Sequence, residues 1–69
     1  MYRWRLIITL NSGKEIVTYY KGPETNSDAV SRKLFNGGLN TFIGLSDSNG
    51  RENIFIRLGE IAAVVISIM

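Results

Sequence analysis

The 69-residue chain contains no cysteine and no histidine, and it has a single proline and a single tryptophan. The first two absences remove disulfides, thiolate and imidazole metal ligands, and both Ser/His and Cys/His nucleophilic arrangements. Long apolar runs are missing too: the longest, Ile61 to Ile66, falls far short of the roughly 20 residues that a membrane-spanning helix needs. The opening "MYRWRLIITL" does not read as a secretory signal, because its apolar stretch is short and no small-residue cleavage site follows. These absences predict a soluble cytoplasmic protein that uses no metal, cofactor or membrane.

What is present is an excess of apolar residues for so small a chain. A domain of this length hides only about 60% of the surface that it exposes when unfolded, so its core is marginal. Yet 45% of its residues are hydrophobic, and the mean hydropathy is +0.07. With disulfides and metal unavailable, association with other chains is the remaining way to add stability. Eight Lys or Arg against six Asp or Glu give a net charge of +2, which permits nucleic acid as a partner without requiring it.

The residue pattern is mainly β. Tyr2, Trp4, Leu6, Ile8 and Leu10 alternate with Arg3, Arg5, Ile7 and Thr9, which is the period of a strand. Asn11, Ser12 and Gly13 then suit a tight turn into a second strand over 14–21. Two hairpin registers are open: a two-residue loop sets Ile8 opposite Val17, and a three-residue loop with a bulge sets it opposite Ile16. Pro23 breaks the sheet, and Thr25, Asn26, Ser27 and Asp28 compete to cap a short helix over 27–36. Asp28 in its first turn and Arg32 and Lys33 in its last complement the helix dipole, with Gly37 placed to end it in a left-handed conformation. "TFIGLS", a "DSNG" turn and "NIFIRL" read as a second hairpin. After a corner at "GE" comes a closing strand to Ile68, with Val64, Ile66 and Ile68 on one face and Ala63, Val65 and Met69 on the other. Neither face of that strand is written for water.

The expected fold is therefore a single small domain over 1–69, ββαβββ, with five short strands in a bent sheet or small barrel and one short helix. Closure into a barrel is preferred over an open sheet because it hides strand edges.

Groups able to do chemistry are sparse. The carboxylates sit mostly at turns and element ends. Asp47 and Glu52 flank "DSNGRE" and are able to share a cation or a proton, but Asp, Ser, Asn and Gly are what a turn requires in any case. "NGG" at 36–38 reads as a helix terminator and not as a phosphate loop. A basic and aromatic set has more substance: Arg3 and Arg5 share a strand face, with Tyr19, Lys21 and Arg57 able to extend it, and arginines bind phosphate while rings stack on bases.

The ending "IFIRLGEIAAVVISI" resembles the second motif of Sm-like small barrels, in which a strand ends in an Arg-Gly corner and turns at once into an apolar closing strand. The likeness covers about the last fifteen residues, and its architecture is shared with SH3-like barrels. It implies Arg57 and Gly59 at the corner, near an RNA site, and 64–68 at a contact between subunits. The sequence thus predicts a non-enzymatic interaction module that self-associates or docks on a protein partner through Val64, Val65, Ile66, Ile68 and Met69. The alternative is a barrel that binds RNA or single-stranded DNA through Arg3, Arg5, Tyr19, Lys21 and Arg57.

Overall fold

The computed structural model describes residues 1–46 and 53–69, the Asn53 side chain apart. The "DSNG" turn, with Asp47 and Glu52, lies outside the described residues. Strands β1 (Tyr2–Leu10) and β2 (Glu15–Gly22) form the first hairpin, followed by helix α1 (Ser27–Leu34). Strands β3 (Phe42–Ser46) and β4 (Asn53–Arg57) follow, and a 3-10 turn (Leu58–Glu60) leads into β5 (Ile61–Ile68). All pairings are antiparallel, in one five-stranded sheet of order β4-β3-β2-β1-β5.

The first hairpin takes the three-residue loop. Ile8 stands opposite Ile16, and the Leu10 N–H donates to the Lys14 carbonyl at 2.8 Å. Gly13, with φ +91°, is the residue that makes this loop possible, because its conformation is one that side-chain-bearing residues rarely adopt. Asn26 wins the competition for the helix cap: its side-chain oxygen accepts from the Ala29 N–H at 2.8 Å. The helix then stops at Leu34, and the Phe35 N–H donates to the Ser31 carbonyl at 2.9 Å. The left-handed ending expected at Gly37 is not formed, since Gly13 is the one glycine with positive φ among the described residues. Gly37 instead backs onto Thr41, whose Oγ1 would stand 2.8 Å from any added Cβ.

Alternation along the strands sorts the sheet into two faces. Trp4, Leu6 and Ile8 of β1, Thr18 of β2, Ile43 and Leu45 of β3 and Ile56 of β4 point to one side, where Val30 of α1 meets them as the buried core. Fully burying a side chain such as Leu6 or Ile8 contributes about 1.5–3 kcal/mol. An eight-residue helix would not stand alone. The core contact through Val30 holds it.

The expected barrel does not close. A flat five-stranded sheet would separate its edge strands by about 19 Å, four spacings of about 4.8 Å. The 3-10 turn between β4 and β5, rising about 2 Å per residue, spans less than half of that, so the sheet must coil strongly. Leu58 donates its N–H to the Thr41 carbonyl at 2.8 Å and Gly59 to the Leu39 carbonyl at 2.9 Å, so the segment before β3 holds the corner. On the core side α1 lies against β5 and covers apolar surface that a closed barrel would cover with strands. β4 and β5 remain unpaired with each other among the described residues.

Candidate functional site

Two surfaces gather the residues singled out by the sequence. The first is the β5 edge. β5 pairs on one side with β1, and its other side ends the sheet. The Met69 N–H donates to the Arg3 carbonyl at 3.0 Å, which makes these two a hydrogen-bonded pair in the ladder. Antiparallel alternation then turns the backbone groups of Ser67, Val65 and Ala63 toward β1, and those of Ile68, Ile66 and Val64 outward. The register shifts opposite Thr9 and Leu10, leaving Ala62 as an extra residue, a bulge that disturbs only the start of the strand.

Side chains along this edge are apolar in both directions. Val64 and Ile66 are half-buried beside α1, where an open groove of about 440 Å³ is lined by residues including Phe35, Leu39, Leu58 and Ile61. Val65 on the opposite face is 56% exposed, and Ile68 and Met69 at the end of the strand are 55% and 62% exposed. The helix covers β5 on the same side as the core, so the other side of the strand has no cover among the described residues. The opposite edge strand, β4, is shorter and ends in a charge, Arg57.

The second surface is the face of the sheet that carries no helix. Pairing places Arg3 opposite Lys21 and Arg5 opposite Tyr19, and the Arg5 row continues to Ser67 on β5 and, through Tyr19, to Ser46 on β3. The next row toward the first hairpin is apolar: Val65, Ile7 and Val17 stand side by side. On β3 and β4 this face displays Phe42, paired with Arg57, and Phe55, paired with Gly44. Arg57 also binds Glu60, Nη2 to Oε1 at 3.1 Å. All five residues of the basic and aromatic set are thus on one side of the sheet, with Tyr19 half-buried and the four cations exposed.

Phe42 and Phe55 were missed by the sequence reading as members of this set. The signal existed, because Phe55 and Arg57 alternate against Ile54 and Ile56 and must share a face. Gly59, expected at the corner, serves the fold: its carbonyl accepts from Asn11 Nδ2 at 3.1 Å, and a Cβ there would come within 2.8 Å of the Leu39 carbonyl oxygen.

Other features are structural. The Tyr20 hydroxyl donates to the Glu24 carboxylate at 2.8 Å on the core side of the sheet. Burial first, then the bond to Glu24 and its negative charge, raise the pKa of this phenol above the ordinary 10.0. Among the described residues no group of three or more His, Cys, Asp or Glu is placed to hold a metal ion, and no helix is long and apolar enough to cross a membrane. Comparison of the chain with protein-family models, with curated proteins and with solved structures gives no match.

Proposed function

We propose that the chain is a non-enzymatic assembly module of the cytoplasm, which pairs its β5 edge with the β5 edge of a second copy. The observation that carries this reading is the character of that edge. β5 is an eight-residue edge strand with no charge and no proline, and it turns outward backbone donors and acceptors that have no partner among the described residues. Soluble proteins guard such edges with charge, proline, bulges or brevity, and past Ala62 this one has none of them.

A two-fold axis at Ile66 would pair Ile66 with its own copy and Val64 with Ile68, each pair exchanging both backbone bonds. The non-bonded pairs between them would set Val65 against Ser67 and draw exposed apolar surface out of water. The two sheets would become one, and the apolar excess of the sequence would be used between chains.

Mass in solution tests this. Light scattering over a rising concentration series should move from the chain's 7.7 kDa toward twice that value. Ile68→Pro removes an outward N–H and leaves the β1 ladder intact, so it should stay folded and at the lower mass. A wild-type chain that holds 7.7 kDa throughout, or a folded Ile68→Pro chain that dimerises as before, refutes the reading.

A further inference from the structure

We infer that the helix-free face of the sheet binds single-stranded nucleic acid across strands β1, β2, β3 and β4. This goes beyond assembly through the β5 edge and does not rest on it, because edge pairing uses the backbone of β5 while this face uses side chains on the other strands.

Charge complementarity is the first support. Arg3, Arg5 and Lys21 lie within two adjacent strands, with Arg3 directly opposite Lys21. None of the three has a salt bridge among the described residues, unlike Arg57, which Glu60 holds. The described carboxylates are placed elsewhere. Glu24 binds Tyr20 on the core side, Asp28 is on the helix, and Glu15 lies at the far end of β2, past the apolar row of Val17, Ile7 and Val65. Among the described residues the three cations therefore form an uncompensated strip, which suits a polyanion.

The second support is independent of charge. Phe55 lies across Gly44, its Cε1 atom 3.0 Å from where a Cβ of that residue would stand. Glycine at 44 lets the ring settle on the strand, and 68% of Phe55 is still open to water. Tyr19 presents a second ring beside Arg5, and Phe42, also exposed, presents a third. An aromatic ring laid on a sheet with solvent above it is a platform on which a base can stack. An acidic polypeptide would satisfy the cations but would leave these rings unused. A duplex would hide its bases from them. A flexible single strand satisfies both, its phosphates meeting Arg3, Arg5 and Lys21 and its bases meeting Phe55 and Tyr19.

Fluorescence anisotropy with a labelled oligothymidylate and a labelled oligouridylate tests the assignment on the intact chain. If the three cations each neutralise one phosphate, affinity should fall about 20-fold between about 50 and 200 mM salt. The double variant Arg3→Glu/Arg5→Glu should lose binding, and Arg3→Gln/Arg5→Gln should weaken it and flatten the salt dependence, both with unchanged circular dichroism. Phe55→Ala, at an exposed position, should weaken binding about tenfold and leave the salt slope unchanged. Three results would overturn the inference: no binding at low salt, full affinity in Phe55→Ala, or competition by polyglutamate as effective as by unlabelled oligonucleotide. The last would assign the face to an acidic protein segment.

Discussion

Replacing Thr18 by valine should make the protein more stable. Thr18 is fully buried on β2, opposite Leu6, and its Oγ1 has no hydrogen-bond partner among the described residues. Burying a hydroxyl without a partner costs about 1–3 kcal/mol by protein mutational measures. Valine keeps the branched shape that suits a strand and exchanges the hydroxyl for a methyl group, so no cavity opens and the strand preference is retained. A gain of about 1–2 kcal/mol is expected after allowing for imperfect packing of the new methyl. At about 2.1 cal/mol/K per residue, the 69-residue chain has an unfolding entropy of about 145 cal/mol/K, so each kcal/mol raises Tm by about 7 °C. Thermal unfolding followed by circular dichroism should thus shift upward by about 7–14 °C. Trp4 makes an instructive contrast, since its Nε1 is equally without a partner. Trp4→Phe removes that donor but also removes a ring from the core, and the cavity term should outweigh the gain and lower Tm. An unchanged or lowered Tm in Thr18→Val would show that the hydroxyl is hydrogen-bonded in solution, and the reasoning would fail.

Three further outcomes follow from the same structure. Gly59→Ala should cost about 1–3 kcal/mol in urea unfolding, because the new Cβ would press on the Leu39 backbone; a cost below about 0.5 kcal/mol would show that the corner yields freely. Raising the pH should destabilise the fold through Tyr20: a raised phenol pKa means that the folded state holds its proton more tightly, so this contribution is complete below pH 10.0 and is lost as pH climbs through the folded value. Tyr20→Phe should flatten that alkaline fall in Tm, and an alkaline limb identical to wild type would remove Tyr20 as its cause. Asn26→Ala, which deletes the oxygen that caps α1, should cost about 1 kcal/mol, and Asn26→Asp should restore most of it.

Much of this architecture was legible because strands announce themselves by period two. Tyr2 to Leu10 alternate with only Ile7 apolar on the outer face, and the structure buries Trp4, Leu6 and Ile8 and exposes Arg3 and Arg5 accordingly. The helix, too, was written in local signals, from Asn26 to the dipole-matched Asp28, Arg32 and Lys33. Closure was not legible. It turns on whether the outward backbone groups of β4 meet those of β5, and that relation between distant backbone atoms leaves no periodic trace in side chains. Gly37 misled for a related reason: a glycine after a helix fits a left-handed cap equally well as it fits close contact with Thr41. The hairpin register depended on one backbone conformation, that of Gly13. As for the candidate surfaces, alternation put Arg3 and Arg5 on one face, whereas Tyr19 and Lys21 join them only in the register that Gly13 sets, and the ring of Phe55 lying on Gly44 depends on a cross-strand pairing that only the fold supplies.

Amide hydrogen exchange, read residue by residue over a concentration series, tests assembly through β5 most directly. The N–H groups of Ala63, Val65 and Ser67 face β1 and should be protected at every concentration, while those of Val64, Ile66 and Ile68 should gain protection only as the concentration rises. If the latter three exchange as freely in concentrated as in dilute solution, the outward edge stays in water and the assembly account is contradicted.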